Sequence, residues 1–404
     1  MREFLQFHDA FNRFLDVVST RRTPVETLPI LHALHRVLAV DVPARIPMPP
    51  FDKTAMDGYA IMNDDPADTF TINETLGAGD HFTRSLEPGT CTKIMTGGMT
   101  PPGTGRIIPV EDAEESDGHM RITRRGSDPH LCRRGEDFSE GARLASSGDR
   151  ITPALAAILI SGGIDTVEVH ARPSARIFST GDELVEPGAQ LPPGRIYDSN
   201  GPMLDALLRE HHVSLSPRGR IPDILDVSIE MLTDAIASHD IVCLSGGVSA
   251  GDFDYIPRAL ETCGMTLHFS GIRVKPGKPM TVATNDRCLV MAFPGNPVST
   301  FVMFHLFGIP ALDALAGRRS APRFLPFKLI EPFKRKRAER LEFVPARLTP
   351  DGIVPIPYHG SAHLAALAHA EGFLVIEPGV HAMEAGAHAL FWPIAVPMHE
   401  TSYA

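Results

Sequence analysis

The sequence predicts a multi-domain protein that combines an α/β domain with β-rich domains. Residues 174–316 alternate between apolar strand-like runs and helical patterns, which is typical of a mainly parallel sheet covered by helices on both faces. Residues 50–145, and residues from about 320 onward, instead contain short β-like runs separated by turn residues. The length of 404 residues corresponds to roughly two to four domains.

Helical periodicity and capping residues predict the first elements. Residues 1–19 place apolar side chains at helical spacing, so we expect an amphipathic helix. Thr23 and Pro24 resemble an N-cap and first helical position, which predicts a second helix that runs to His35. Residues 150–163 predict a capped helix that ends at glycine. The clearest strand-like runs of the first β-rich region are 69–72, 90–95 and 106–110.

The α/β region contains four predicted strands that each run into a polar loop. These strands are 175–181, 241–245, 267–274 and 288–295. Predicted helices begin near Asn200, cover residues 229–236, and fill the apolar stretch 297–317. Ligands of parallel sheets bind at the carboxyl ends of the strands, so the loops there are the candidate site.

Composition excludes several classes of protein. Hydrophobic residues make up 43% and charged residues 22%, as in ordinary globular proteins, and the net charge of −11 argues against a nucleic-acid binder. Five cysteines without a C-x-x-C pair argue against a disulfide framework or a zinc ribbon. The N-terminus does not resemble a signal peptide, and the longest apolar runs are shorter than the ~20 residues that span a bilayer. We therefore expect a cytoplasmic protein without a membrane segment.

Four strand-end loops share a character that favours one common cleft. Each combines glycine or proline with charged or amide side chains. They contribute Glu183 with Asp182; Ser245, Gly246, Gly247, Asp252 and Asp254; Lys275 and Lys278; and Pro294, Asn296 and Pro297. Any one loop alone resembles an ordinary solvated turn, but four at successive strand ends favour a binding site.

The residue types in these loops suit a phosphorylated ligand and a divalent cation. Glycines let backbone N–H groups approach an anion, and two lysines neutralise phosphate or another oxyanion. Asn296 before Pro297 predicts an N-cap with proline at the first helical position, so the helix would present partial positive charge to an anion. Several carboxylates would repel that anion unless a divalent cation lay between them, which suggests Mg²⁺.

A second constellation lies in PPFDKTAMDGYAI, residues 49–61. Asp57-Gly58 is compatible either with a type I′ hairpin turn or with a carboxylate that projects into a cleft as base or metal ligand. Asp137 and the IMTGG segment at 94–98 each resemble a loop when taken alone. The basic run 334–340 is either a solvated face or a cationic wall for phosphates. Walker, G-x-G-x-x-G, H-E-x-x-H and G-x-S-x-G motifs are absent.

Taken together, the motifs resemble a known family. FDKTAMDGYAI, IMTGG, RRGEDF, STGDEL, IYDSN, LSGGVSAGDFDY, VKPGKP and FPGNPVS occur in the order seen in molybdopterin molybdenumtransferases, the molybdenum insertases similar to the insertase domain of gephyrin. The resemblance implies a homodimer with its cleft between the α/β domain of one subunit and the domains of the other. It implies four domains: a molybdopterin-binding α/β domain (1–20 with 171–318), a linker or dimerisation domain (21–48 with 142–170), a β-rich inserted domain (49–141) and a small β-barrel-like C-terminal domain (319–404).

The resemblance also implies an activity and roles for residues. The family inserts molybdate into adenylylated molybdopterin, releases AMP and forms molybdenum cofactor with Mg²⁺ or a similar divalent cation; molybdenum-enzyme apoproteins are the implied further partners. The implied catalytic residues are Asp57, Asp137, Glu183, Asp223 and Asp254, of which Asp57, Glu183 and Asp254 are the expected metal ligands. The implied substrate-binding residues are Thr96, Ser245, Gly246, Gly247, Lys275, Lys278, Pro294, Asn296, Pro297 and Arg340.

Three departures from the family pattern keep an alternative open. His130 and Cys132 replace asparagine and arginine, and Gly105 replaces an acidic residue. Ala365 and Ala366 occupy a segment where a serine is often found. The alternative is a specialised paralogue that binds or delivers finished molybdenum cofactor without efficient catalysis. An adenylyltransferase is disfavoured, because the full set of motifs extends beyond the α/β region.

Overall fold

The computed structural model describes residues 4–248, 255–318, 324–358 and 360–394. The chain forms two compact units, Met1–Glu26 with His170–Ala404, and Thr27–Val169. The α-helices of the described residues are α1 Phe7–Ser19, α2 Pro153–Ser161, α3 Asn200–Glu210, α4 Leu225–Ser238, α5 Ile256–Thr262, α6 Pro297–Met303 and α7 Ile309–Leu315. A π-helical segment, Phe304–Gly308, joins α6 to α7.

The larger unit is built around a seven-stranded sheet. Across the sheet its strands are Ser214–Leu215, Ser174–Thr180, Ile241–Ser245, Leu289–Phe293, Thr281–Thr284 and Thr266–Ser270, with Gly219–Ile221 also paired to Ser174–Thr180. Thr281–Thr284 is antiparallel to both of its neighbours, and the other pairs are parallel. The strands that end at Thr180, Ser245, Ser270 and Phe293 therefore have their carboxyl ends at the same edge.

Alternation along the central strand explains why helices cover both faces of this sheet. Ile241 and Cys243 join an apolar cluster that includes residues of α1, α3, α6 and α7. Val242 and Leu244 point the other way, into a cluster with residues of α4 and α5. All four side chains are fully buried, as expected for a strand covered on both sides.

A six-stranded sheet in the same unit brings the C-terminal residues beside the first sheet's loops. Across this sheet its strands are Val274–Lys275, Leu341–Thr349, Gly372–Ile376, His388–Pro393 and Leu325–Lys328, with Gly352–Pro355 paired to Leu341–Thr349. The single strand predicted at 267–274 is thus divided, because Thr266–Ser270 pairs in one sheet and Val274–Lys275 in the other. This division places Lys275 directly opposite Glu342.

The predicted N-terminal helix is confirmed as α1, and aromatic packing fixes it in the larger unit. Phe7, Phe11 and Phe14 are at most 2% exposed, and all three pack edge-on against the Phe307 ring. Phe7 also contacts Phe343 of the C-terminal sheet, with ring centroids 5.2 Å apart. Aromatic pairs of this geometry contribute about 0.5–1.5 kcal/mol each beyond area burial.

The smaller unit, Thr27–Val169, contains a six-stranded sheet. Across the sheet its strands are Thr104–Pro109, Gly58–Met62, Thr90–Ile94, Thr69–Leu76, His119–Ile122 and Ala113–Ser116. These include the strands expected near 69–72, 90–95 and 106–110. Shorter strand pairs are Lys53–Thr54 with Leu131–Cys132, and Val42–Pro43 with Arg143–Ala145. A separate apolar cluster packs residues of segment 28–42 against residues of segment 144–169, including Ala156 and Leu159 of α2.

The helix predicted from Thr23 to His35 is wrong. Val25–Pro29 is instead a strand that pairs with Thr166–His170. The Thr23 hydroxyl does not cap a helix but donates to the carbonyl of Ala171 at 2.7 Å. Pro29 would remove a hydrogen bond from the interior of such a helix, so pairing with a distant strand satisfies the backbone better.

The hairpin-turn alternative for Asp57-Gly58 is also wrong. Gly58 lies within strand Gly58–Met62 and pairs with Ile94 on one side and Pro109 on the other. A Cβ atom on Gly58 would lie 2.3 Å from the carbonyl oxygen of Ile108. Glycine is required because the neighbouring strand approaches its backbone too closely for any side chain.

We expect Gly58→Ala to lower the free energy of unfolding by about 1–3 kcal/mol, the usual cost of overpacking. The matched control is Gly126→Ala in the same unit, because a Cβ atom on Gly126 meets no atom within 4 Å. Urea denaturation of both variants checks the prediction. Equal midpoints for the two variants would contradict the close approach at Gly58.

One helical segment among the described residues, Pro297–Leu315, is long and apolar enough by length and composition alone to cross a membrane. Its 19 residues lie within the apolar stretch 297–317 identified in the sequence. However, 83% of its most apolar window is buried within the structure. The segment is therefore a core helix, and Phe304 and Phe307 belong to the largest apolar cluster.

Candidate functional site

The carboxyl ends of the first sheet's strands border a cavity of about 580 Å³, here called the carboxylate cavity. Its acidic lining residues are Glu183, Asp198 and Asp223. None of the lining residues that the structure describes is a lysine, arginine or histidine. The residues predicted to bind ligand that line it are Ser245, Gly246, Gly247, Asn296 and Pro297.

A second cavity of about 590 Å³, here called the cationic cavity, adjoins the first and shares Glu183 and Asn296 with it. Its basic lining residues are Lys275, Lys278 and Arg340. Pro294 also lines it. The predicted convergence of the strand-end loops is thus observed within this unit, but the charges are separated into an acidic and a basic part.

Each of the three basic side chains of the cationic cavity already contacts another group of the protein. The ammonium of Lys275 lies 2.6 Å from a carboxylate oxygen of Glu342. The ammonium of Lys278 lies 4.3 Å from the centre of the Phe4 ring, a cation–π contact. Arg340 donates to the carbonyl of Val274 at 3.2 Å. These contacts orient the three positive charges before any anion binds.

Glu342 is the buried centre of a polar cluster beside the cationic cavity. Its side chain is 3% exposed and accepts from Arg335 at 3.1 Å as well as contacting Lys275. The hydroxyl of Tyr358, which lines the same cavity, donates to Glu342 at 3.4 Å. Burial, and then the nearby Glu342 charge, raise the pKa of Tyr358, so its hydroxyl stays protonated at neutral pH. Lys275 and Arg335 share the single Glu342 carboxylate. These three charged groups together therefore keep a net positive charge.

The glycine turn after Ile241–Ser245 adopts a conformation that few other residues accept. Gly246 and Gly247 have φ angles of 93° and 66°, in the left-handed region. A Cβ atom on Gly246 would also lie 2.6 Å from the hydroxyl oxygen of Thr180. Asp252 and Asp254, which follow in the same loop, lie outside the described residues.

The start of α6 is confirmed at Pro297, but Asn296 does not cap it with its side chain. The Asn296 amide instead donates to the hydroxyl oxygen of Ser361 at 2.8 Å. The N–H of Val298 donates to the Ser361 carbonyl, so this N–H is not available to an anion. Ser361 lines the cationic cavity, where its hydroxyl hydrogen can donate to a ligand. Ser361 therefore supplies a hydroxyl near the segment where Ala365 and Ala366 depart from the family pattern.

Sequence reasoning missed Asp198 and Asn200 as lining residues of the carboxylate cavity. The Asp198 carboxylate accepts from the hydroxyl of Ser179 at 2.6 Å and from the N–H of Gly201 at 2.9 Å, so it stabilises the start of α3. The amide nitrogen of Asn200 donates to both Ser245 and Gly295. The signal was available in the IYDSN motif, where polar residues precede a helix.

In the smaller unit, Asp57 and Thr96 are in direct contact. The Asp57 carboxylate accepts from the hydroxyl of Thr96 at 2.6 Å and from its N–H at 2.7 Å. These two hydrogen bonds, the hydroxyl first, lower the pKa of Asp57. Asp137 lies elsewhere in this unit, where its N–H donates to the carbonyl of Met48. The chemical roles assigned to these three residues stay predictions.

Local geometry accounts for one of the departures from the family pattern. A Cβ atom on Gly105 would lie 2.2 Å from Cα of Asn63, at an irregularity between strands Gly58–Met62 and Thr104–Pro109. No acidic side chain fits there. His130 has a φ of 50°, a conformation that asparagine accepts more readily than histidine. Cys132 pairs with Lys53 in a short strand.

Comparisons with known proteins identify the family. Molybdopterin molybdenumtransferase of Staphylococcus epidermidis is 31% identical over 368 residues, which cover 88% of this chain and 87% of that protein. The Staphylococcus aureus protein of the same name is 30% identical over 390 residues, 94% and 93% of the two chains. The chain belongs to the molybdopterin molybdenumtransferase family.

Domain and structure comparisons agree with this membership. The MoeA N-terminal region (domain I and II) matches residues 5–163, a probable molybdopterin binding domain matches 176–314, and the MoeA C-terminal region (domain IV) matches 328–394. A solved structure of molybdopterin biosynthesis moeA protein from Pyrococcus horikoshii superposes with a TM-score of 0.83 at 26% identity, covering 97% of this chain and all of that one. The carboxylate and cationic cavities lie mainly in the molybdopterin-binding match, and Arg340, Tyr358 and Ser361 come from the C-terminal match.

Proposed function

We propose that this protein inserts molybdate into adenylylated molybdopterin, releasing AMP and forming molybdenum cofactor. The observation that carries the proposal is the adjoining pair of cavities that share Glu183. The cationic cavity suits a tetrahedral oxyanion, because Lys275, Lys278 and Arg340 supply positive charge and Ser361 a hydroxyl. The carboxylate cavity suits the nucleotide-bearing part of the substrate, with the Gly247 N–H as a backbone donor, since the N–H of Gly246 donates to the carbonyl of Phe293.

Molybdate insertion with release of AMP requires these residues to position two reactants and to stabilise a leaving phosphate. Molybdate held by the lysines and Arg340 would lie near Glu183, at the junction of the cavities. The Pro294–Pro297 turn, shared in part by both cavities, would shape the molybdate pocket. Glu183 would orient a water or a molybdate oxygen, and positioning of this kind can contribute much of the rate.

A divalent cation, for which we propose Mg²⁺, fits the available oxygen ligands. Glu183 and Asp223 both line the carboxylate cavity, and Mg²⁺ is commonly held by one or two carboxylates together with substrate phosphates. The described residues contain no group of three or more acidic, histidine or cysteine side chains placed to hold a metal by themselves. The proposed ligands Asp57 and Asp254 would complete the set. When bound, the cation neutralises charge on the departing phosphate.

The assay for the proposed function is release of AMP from adenylylated molybdopterin. Purified protein, molybdate and Mg²⁺ should give AMP in proportion to added molybdate. A protein that binds finished cofactor yet releases no AMP would establish the alternative, a paralogue that delivers cofactor. The presence of Glu183, Asp223, Lys275, Lys278 and Arg340 in the two cavities favours the catalytic proposal.

We also propose that the protein works as a homodimer in which Asp57, Thr96 and Asp137 complete the site of the partner copy. This arrangement predicts complementation between two inactive chains. A Glu183→Gln chain co-expressed with an Asp57→Ala chain should recover about a quarter of wild-type activity, since half of the dimers would hold one intact site of two. AMP release by the purified mixture measures this recovery.

The matched control is a mixture of Glu183→Gln with Lys275→Ala, two residues that line the same cavity of one unit. These chains should not complement, because every site would contain at least one substituted side chain. Activity from the control mixture, or none from the test mixture, would contradict a site shared between copies.

Several finer features complete the proposal. The protein would act in the cytoplasm and pass its product to molybdenum-enzyme apoproteins. The chain would divide into the four domains expected from the sequence, with a three-layer α/β/α molybdopterin-binding domain and a barrel-like C-terminal domain.

A further inference from the structure

Asn200 carries a hydrogen-bond acceptor that the described protein does not use. The residue is 8% exposed, lines the carboxylate cavity and begins α3. Its Nδ2 donates to Ser245 Oγ at 2.8 Å and to the carbonyl oxygen of Gly295 at 2.6 Å. Its Oδ1 is buried and has no hydrogen-bond partner among the residues that the structure describes.

The orientation of this amide follows from its partners. A carbonyl oxygen accepts but never donates, so the side-chain atom that faces Gly295 must be the nitrogen. The Ser245 hydroxyl can accept from the same nitrogen. Both hydrogens of Nδ2 are therefore used, and Oδ1 of this cavity-lining residue is left without a donor among the described residues. A buried acceptor without a donor is unfavourable, so the site is built for a donor that arrives with the ligand.

The surrounding charge defines which ligand group can meet Oδ1. The carboxylate cavity is lined by Glu183, Asp198 and Asp223, and by no cation among its described residues. An amide oxygen repels a phosphate or molybdate oxygen, because both present lone pairs. The cations that suit such anions lie in the neighbouring cationic cavity. An amide oxygen accepts from N–H and O–H groups, and the adenylylated substrate supplies neutral donors of this kind.

We propose that Asn200 Oδ1 accepts a hydrogen bond from a neutral N–H or O–H donor of the adenylylated substrate. This inference rests on the proposed function and assigns an orientation to its substrate. The donor-bearing part enters the carboxylate cavity, while the oxyanion remains in the cationic cavity. Amino groups of the purine or pterin and hydroxyls of the ribose share this donor chemistry.

The test compares Asn200→Leu with Asn200→Asp. Both substitutions remove the Nδ2 donors to Ser245 and Gly295, but only aspartate keeps an oxygen acceptor. Dissociation constants are measured by titration calorimetry with Mg²⁺ for AMP, purine riboside monophosphate (no 6-amino group), 2′-deoxy-AMP and 3′-deoxy-AMP. Loss of one hydrogen bond should weaken binding about 3- to 10-fold.

If the donor belongs to the nucleotide, wild type should prefer AMP over one analogue by that factor. Asn200→Leu should lose that preference, and Asn200→Asp should retain it. If the donor belongs to the pterin, nucleotide affinities stay unchanged in Asn200→Leu. In that case the dissociation constant for adenylylated molybdopterin rises about 3- to 10-fold in Asn200→Leu but not in Asn200→Asp. Either pattern supports the proposal and identifies the donor.

Two results would overturn the inference. One is an equal loss of affinity for every ligand in both variants, which a purely structural role of Nδ2 predicts. The other is no difference between wild type and Asn200→Leu for any ligand. Thermal unfolding is measured first, and Asn200→Ala, which also lacks a side-chain acceptor, replaces the leucine variant if that variant does not fold. Failure of wild type to bind AMP or adenylylated molybdopterin would count against the proposed function itself.

Discussion

Glu183→Gln is expected to reduce molybdate-dependent AMP release by about 100-fold or more, the usual scale for loss of a group that acts on the reacting atoms. Glu183 is the carboxylate shared by the acidic and basic cavities, so it lies where the two reactants should meet. Glutamine keeps nearly the same shape but removes the negative charge. The measurement is the initial rate of AMP release at several Mg²⁺ concentrations. The Mg²⁺ concentration that gives half-maximal rate should also rise.

Glu186→Gln is the matched control for this prediction. Glu186 lies three residues further along the chain, after the short strand Leu184–Val185, with its side chain 67% exposed and 3.6 Å from Arg218. Because exposed ion pairs contribute little, we expect both the rate and the stability of this variant to stay close to wild type. Near wild-type rates from Glu183→Gln would refute a role in holding the metal or the reacting groups.

Glu342→Gln is expected to lower the free energy of unfolding by about 3–5 kcal/mol, as for other buried ion pairs that lose one partner. Glu342 and Arg335 are only 3% and 5% exposed, so the guanidinium would remain buried without its counter-charge. Lys275 is 44% exposed and can turn towards solvent, so most of the effect should come from Arg335. Urea denaturation measures the change.

A double substitution separates charge from packing in this cluster. Replacing Arg335 with methionine and Glu342 with leucine removes both buried charges, so much of the lost stability should return. Glu384→Gln, at an exposed position of the same C-terminal region, is the control and should be neutral. Losses that simply add in the double variant would show that the two charges do not depend on each other.

Much of the fold could be predicted from local patterns. The spacing of Phe7, Phe11 and Phe14 predicted α1, and the glycine-terminated helix predicted at 150–163 is α2, Pro153–Ser161, which Thr152 and Gly162 cap. The alternating strands and helices of 174–316 indicated the parallel sheet. The missed elements are short, such as strand Thr281–Thr284 and helix α5. Their few residues carry too little periodicity to identify them without their neighbours.

The candidate site was predicted in its residue types but not in its arrangement. The sequence indicated that acidic, glycine and lysine loops would meet, and the two cavities of the larger unit contain most of them. It did not indicate that acidic and basic residues would occupy separate cavities. Nor did it identify Glu342 or Ser361, since their roles depend on a second sheet that pairs Lys275 with Glu342.

The sequence by itself determined the family, the alternating strands and helices of the α/β region and the chemistry of the loops, because periodicity, turns and motifs are properties of neighbouring residues. Only the tertiary structure decided which side chains are buried and which partners they find. Asn200 illustrates the difference. Its place at the start of a helix was predicted, but its unused oxygen depends on Ser245 and Gly295. Hydrogen-bond satisfaction joins residues far apart in the chain, so it emerges only when the strands and loops are assembled.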